Sequence, residues 1–111
     1  MTELTQLEGP YEILELGDGG SLVLHPTAFT TGQMTIHPRW LPQGKVIKVI
    51  RIWVPESDKP LFPDYFDITA STLVAQLEPI LRGDDLRGLE LTITKHGVAP
   101  KARYQVRVNH V

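Results

Sequence analysis

Hydrophobic and polar residues alternate in short runs along most of this chain, a pattern that predicts strands more than helices. The longest run, KVIKVIRIWV at 45–54, is rich in β-branched residues and predicts a central strand. Two further runs, at 89–96 and 102–109, alternate and are joined by a short loop. They predict a β-hairpin near the end of the chain.

Three shorter runs predict strands in the first third of the chain. YEILEL at 11–16 and SLVLH at 21–25 flank GDGG, whose glycines tolerate positive φ, so they predict a hairpin. QMTIH at 33–37 predicts another short strand. The segment 55–67 contains three prolines and predicts an irregular loop.

One segment has the period of a helix. Leu73, Leu77, Ile80 and Leu81 recur at helical spacing within 68–83, and Gly83 stands where a helix commonly ends. Pro79 lacks the N–H of an internal helical residue, so we expect a kink or a separate last turn there. The predicted order is four strands, one helix and two strands.

Length and composition indicate a single folded domain over residues 1–111. The chain is 41% hydrophobic and 22% charged, which is ordinary for a globular protein. The element order predicts a mainly β protein with one helix: an OB-like antiparallel barrel of five or six strands, or an open sheet. The alternative is an α+β fold in which one helix packs on an antiparallel sheet.

Several classes of chemistry have no support in the sequence. Cysteine is absent, which excludes disulfides and thiolate sites, and the histidines are scattered. The aspartates in 64–67 and 84–85 fit capping and turns better than catalysis. No apolar run approaches the roughly 20 residues of a membrane span. We therefore expect a cytoplasmic protein that is not an enzyme and needs no cofactor.

Charge is distributed unevenly although the formal net charge is only −2. Residues 39–51 hold four basic and no acidic side chains, and 88–111 hold four basic side chains and one glutamate. The segment 52–85 between them is acidic. The two basic blocks would form one positive face if the fold brought them together.

Strand alternation assigns the faces of the terminal hairpin. Leucine, isoleucine, tyrosine and valine fall on one face, and Thr92, Thr94, Arg103 and Arg107 fall on the other. The connecting loop adds a basic group of Lys95, His96 and Lys101. Arginine forks and mobile lysines suit phosphate oxygens. The alternative interpretation is a solvated sheet face whose lysines protect an edge.

The long strand adds aromatic candidates. If Ile50 and Ile52 face the core, Arg51 and Trp53 face outwards, and Trp40 lies in a loop beside Arg39. Basic groups next to aromatic rings are the combination that holds single-stranded nucleic acid. The alternative for each tryptophan is burial in the core.

The segment LTITKHGVAPKARYQV resembles the strand–loop–strand ending of small phage and plasmid single-stranded-DNA-binding proteins of the OB-barrel type. The matching positions are Ile93, Lys95, Gly97, Arg103, Tyr104 and Val106. Ala102, where a threonine is usual, and the acidic loop at 55–67 depart from the pattern. The resemblance implies sequence-tolerant binding of single strands in DNA replication, recombination or repair.

The sequence thus predicts non-catalytic binding of single-stranded nucleic acid, DNA in the first place, with no membrane association. The candidate binding residues are Trp40, Arg51, Trp53, Thr92, Thr94, Lys95, Lys101, Arg103 and Arg107. The alternative function is a protein-interaction or assembly module, for example a homodimer formed through a sheet edge.

Overall fold

A computed structural model describes residues 5–37, 39–83, 85–98 and 101–110. Within them the elements are β1 (Ser21–Leu24), β2 (Ala28–Ile36), β3 (Lys45–Trp53), β4 (Tyr65–Ile68), α1 (Ser71–Gly83), β5 (Leu89–His96) and β6 (Arg103–His110). The strands form two antiparallel sheets of three strands each. We call β1–β5–β6 the hairpin sheet and β2–β3–β4 the long-strand sheet.

The two sheets and the helix share one hydrophobic core. The hairpin sheet contributes Leu24, Leu91 and Ile93, which are fully buried, and the long-strand sheet contributes Ile50 and Ile52. The helix α1 contacts β3 and β6 and buries its apolar face in the same core, as the helical spacing predicts. Each such side chain stabilises the fold by about 1.5–3 kcal/mol. The expected mainly β architecture with one helix is confirmed.

Three residues carry the chain from one sheet to the other. His25, Pro26 and Thr27 connect β1 to β2, and the Thr27 N–H donates to the Trp53 carbonyl at 2.8 Å. The path from Ser21 to Ile36 therefore supplies an edge strand to each sheet. No pairing joins β4 to β6 among the described residues, so the sheets stay open and do not close into a barrel.

Several sequence predictions differ from the structure. Residues 11–16 do not form a strand, and only Ile13 makes an isolated bridge, to Asp67. Conversely, Tyr65–Ile68 forms β4 inside the segment predicted as a loop. The helix continues through Pro79 to Gly83 without a separate last turn. Pro79 and Ala75 both lie on its exposed side, where water can bind the carbonyl group that Pro79 leaves without a donor.

Residues 5–14, which we call the strap, cross the outer face of the long-strand sheet. The strap bonds to the outer edge of β2, where the Leu7 N–H donates to the Gln33 carbonyl at 2.9 Å. It then bonds to the outer edge of β4, where the Asp67 N–H donates to the Glu12 carbonyl at 2.7 Å. Leu7 packs on Met34 and Val49. This cover is absent from the sequence prediction.

The length and composition of the helix bear on membrane insertion. In the described part of the chain, no helix combines the length and the apolar character that crossing a membrane requires.

Candidate nucleic-acid interface

The outward face of the hairpin sheet is polar and open. The register places Thr94 between Ser21 and Gln105, and Thr92 beside Arg107. These five side chains line a surface depression of about 260 Å³. The opposite face, with Leu89, Leu91 and Ile93, is buried in the core. The predicted division of the terminal hairpin into a core face and an outward face is thus confirmed for these positions.

The basic side chains of the described residues fall into two groups. Lys48, Arg51, Lys59, Arg82 and Arg87 each lie within 4.0 Å of a carboxylate. Within the same ranges, no carboxylate lies that close to Arg39, Lys45, Lys95, Lys101, Arg103 or Arg107. Four of these six belong to the terminal hairpin and its loop. These four side chains therefore make no ion pair with the described part of the protein.

Lys95 occupies a different face from the other hairpin candidates. It pairs with Tyr104 across β5 and β6, on the side of the sheet that carries Ile93. The strand β5 extends to His96, so alternation turns Lys95 towards the core side and leaves it half-buried. His96 takes the outward position instead, directly beside Arg103.

The expectation that Arg51 faces solvent is wrong. Its guanidinium donates to both carboxylate oxygens of Asp67, at 2.7 and 3.1 Å, and to the Glu8 carbonyl of the strap at 3.0 Å. Arg51 is only 8% exposed and Asp67 is fully buried. The hydrogen bonds to Asp67 raise the pKa of Arg51 above its ordinary value, so the side chain remains charged. The group is thus already engaged inside the protein.

The two tryptophans have different environments. Trp53 is half-buried, and its ring meets that of Tyr65 edge-on at 5.8 Å between centroids. The covered position of Trp53 differs from the expectation for a stacking residue. Trp40 is 83% exposed in the turn between β2 and β3, beside the exposed Arg39. Trp40 is therefore the tryptophan that a ligand can reach.

Sequence reasoning missed two exposed apolar side chains, Leu61 and Phe62. They are 76% and 80% exposed. The Lys59 ammonium donates to the carbonyls of Leu61 and Pro63 and so holds their loop in shape. The Pro-Leu-Phe-Pro run was the available signal, because prolines on both sides restrict how the loop can fold inwards.

Sequence reasoning also missed a cluster around His25, for which no local motif gives a signal. The His25 Nδ1 lies 2.9 Å from Asp58 Oδ1, and its Nε2 lies 3.0 Å from Glu90 Oε2. Two carboxylates can be bonded at once only if both ring nitrogens carry protons. The bonds to Asp58 and then Glu90 raise the pKa of His25 and outweigh the effect of burial.

This cluster predicts a pH-dependent contribution to stability. Because the pKa of His25 is raised from 6.5 in the folded state, its contribution is complete below that value and is lost as the pH rises through the folded-state pKa. The side chain is 37% exposed, so we expect less than about 1 kcal/mol. Urea unfolding at a series of pH values would measure it. If a His25→Gln variant loses as much stability as wild type when the pH is raised, the loss does not come from His25 and the prediction is contradicted.

The described residues contain no group of three or more histidine and carboxylate side chains arranged to hold a metal ion. Comparison of the chain with known protein families, curated proteins and solved structures finds no match.

Proposed function

We propose that this protein binds single-stranded nucleic acid, DNA in the first place, on the outward face of the hairpin sheet and without catalysis. The observation that carries the proposal is the group of basic side chains without carboxylate partners on a polar, open sheet. Arg103 and Arg107 would bind phosphates through their forked donors, and Thr92 and Thr94 would hydrogen-bond the backbone beside them. Lys101 would add charge at the hairpin loop.

The connectivity supports an OB-like interpretation of the open sheets. Counting β1 and β2 as one strand interrupted at Pro26 gives five strands, with α1 between the third and the fourth. The first strand then pairs with both the second and the fourth and joins the two sheets. In OB folds the loops between strands one and two and between strands four and five bind oligonucleotides. Here those loops carry Trp40 and Lys101.

The proposed site differs from the sequence prediction at the long strand. The strap covers the outer face of β3 and β4, and Arg51 is occupied by Asp67, so we place the nucleic acid on the hairpin sheet. Trp40 remains the aromatic candidate for stacking on a base, which is worth about 1–3 kcal/mol. The role in replication, recombination or repair that the resemblance implies belongs to the same proposal.

Charge reversal on the hairpin is the test. We expect Arg103→Glu combined with Arg107→Glu to weaken binding of a labelled oligothymidylate by about ten- to thirtyfold, because two phosphate contacts become repulsive. Fluorescence anisotropy at two salt concentrations would measure the affinity. Wild-type affinity should fall with salt, with a slope of about −0.7 in log–log form for each phosphate contacted.

A matched control separates the site from overall charge. Arg82→Glu combined with Arg87→Glu makes the same change in net charge at two exposed arginines that do not line the hairpin depression and that already have carboxylate partners. Its affinity should stay close to that of wild type. Equal losses in both double variants, or no wild-type binding at low salt, would contradict the proposed site.

A protein-interaction module is the second candidate, favoured by the adjacent exposed side chains of Leu61 and Phe62. Docking through them would depend on apolar contact and change little with salt. The control and the hairpin variants would then leave partner binding intact, whereas Leu61→Ser with Phe62→Ser would abolish it.

A further inference from the structure

Glu90 lies on the same outward face as the proposed phosphate contacts, next to Arg107. In the register Glu90 faces Asn109 and Thr92 faces Arg107, so Glu90 and Arg107 are diagonal neighbours. Diagonal neighbours in an antiparallel pair are about 7–8 Å apart, within reach of long side chains. A carboxylate at this distance from a free guanidinium would normally be expected to pair with it.

The carboxylate of Glu90 is directed elsewhere. Its Oε2 lies 3.0 Å from His25 Nε2, and its Oε1 accepts a long hydrogen bond, 3.5 Å, from Asn109 Nδ2. No ion pair within 4.0 Å joins it to Arg107, both of which lie in the described residues. From these contacts we infer that Glu90 is an internal competitor of phosphate for Arg107, and that His25 and Asn109 hold it away while His25 is charged. This inference rests on the proposed function.

The position of the remaining proton on His25 decides how Glu90 responds when the ring becomes neutral. Asp58 contacts Nδ1 through both carboxylate oxygens, at 2.9 and 3.1 Å, and also accepts the His25 backbone N–H at 2.7 Å. Its side chain is only 9% exposed, so this contact is the less hydrated of the two. The neutral ring therefore keeps its proton on Nδ1. Its Nε2 lone pair then faces the Glu90 oxygen and repels it.

Among the basic groups near His25 and Glu90, Arg107 is the one that shares the sheet face of Glu90 and has no carboxylate within 4.0 Å in the described structure. Arg87 lines a depression beside His25, but its guanidinium is bound by Asp85 at 2.9 Å. Lys59, on the same loop as Asp58, is tied to backbone carbonyls and lies near Glu12. Release of Glu90 from His25 would therefore place a negative charge on Arg107, where the proposed ligand needs a positive one.

The expected consequence is weaker binding of nucleic acid as His25 loses its proton. An exposed ion pair between Glu90 and Arg107 would reduce affinity on the order of threefold. Replacing Glu90 with glutamine keeps an acceptor for His25 but removes the competing charge. The Glu90→Gln variant should therefore bind nucleic acid at least as tightly as wild type does at acidic pH. Its affinity should not change as His25 loses its proton.

The experiment uses the full chain with a labelled oligothymidylate, titrated from about pH 6 to about pH 9, a range that spans a raised histidine pKa. His96 is a second histidine on the same face, directly beside Arg103, so all proteins carry His96→Gln. Glu15→Gln is the matched control, because it removes one exposed carboxylate outside the site. Nuclear magnetic resonance of the His25 ring and of the Arg107 Nε–H monitors the proposed exchange without any nucleic acid.

Each outcome has a distinct meaning. The inference is supported if the affinity for the oligothymidylate falls threefold with rising pH in wild type and in Glu15→Gln, and if the midpoint of this fall matches the titration of His25. The fall must also be absent in Glu90→Gln. An equal fall in Glu90→Gln overturns it and leaves the proposed function standing. An Arg107 Nε–H signal that does not change with His25 also overturns it. If Arg107 changes with His25 but nucleic acid binds at no pH, the proposed function fails and the exchange between ion pairs stands.

Discussion

Replacing Arg51 with methionine should lower the free energy of unfolding by about 3–5 kcal/mol. The substitution keeps most of the side-chain volume but removes the donors to the fully buried carboxylate of Asp67 and to the Glu8 carbonyl. Asp67 would then be a buried charge whose carboxylate keeps a hydrogen bond from the backbone N–H of Glu12. Urea unfolding at neutral pH, followed by tryptophan fluorescence, would measure the loss.

Two further variants test the reason for this loss. Arg87→Met breaks an ion pair whose arginine side chain is 92% exposed, and it should leave stability almost unchanged. Arg51→Met combined with Asp67→Leu removes both buried charges, so it should be more stable than Arg51→Met alone. The account is contradicted if the double variant loses as much free energy of unfolding as Arg51→Met and Asp67→Leu lose in sum.

Replacing Gly32 with alanine should destabilise the protein by about 2–3 kcal/mol, because the added carbon has no space. A Cβ at this position would lie 2.6 Å from both Leu7 Cγ and the Thr5 carbonyl oxygen. The strap would have to move away and would lose the burial of Leu7 together with its bonds to Gln33. Urea unfolding gives the magnitude, and hydrogen exchange at the Leu7 amide reports release of the strap.

Gly17→Ala is the control, since a Cβ there would meet nothing within 4 Å. It should leave both stability and exchange at Leu7 unchanged or slightly improved. If the Leu7 amide stays protected from hydrogen exchange in Gly32→Ala, the sheet, and not the strap, has moved to make room for the added methyl group.

Local alternation was enough to predict the terminal hairpin but not the surroundings of the long strand. Leu91, Thr92 and Ile93 take the faces that their order predicts, because one side of the hairpin sheet is open. Arg51 and Ile52 also point to opposite faces, as predicted, yet both are buried. Alternation specifies which side a residue faces and says nothing about what covers that side. The strap comes from a distant, acidic part of the sequence.

The same limit explains two wrong predictions: residues 11–16 were expected to form a strand and do not, and residues 65–68 were expected to lie in a loop and form β4. Residues 11–16 alternate as well as many real strands do, but in the described structure their backbone bonds to the sheet only at Asp67. Residues 65–68 looked like part of a proline-rich loop, yet they find a free edge of β3 and pair with it from Ile50 to Trp53. The available partner decided between strand and loop, and a partner's position is not a local property.

The strap also has a consequence for how copies of this protein behave in concentrated solution. Open edges of sheets are templates for pairing with other chains, and proteins commonly cover or interrupt them. The strap occupies part of the outer edge of β2 near Gln33 and part of the outer edge of β4 near Asp67. It therefore covers part of both edges of the long-strand sheet, which disfavours aggregation there. Shortening the chain through residue 14 would leave both edges open to intermolecular strand pairing.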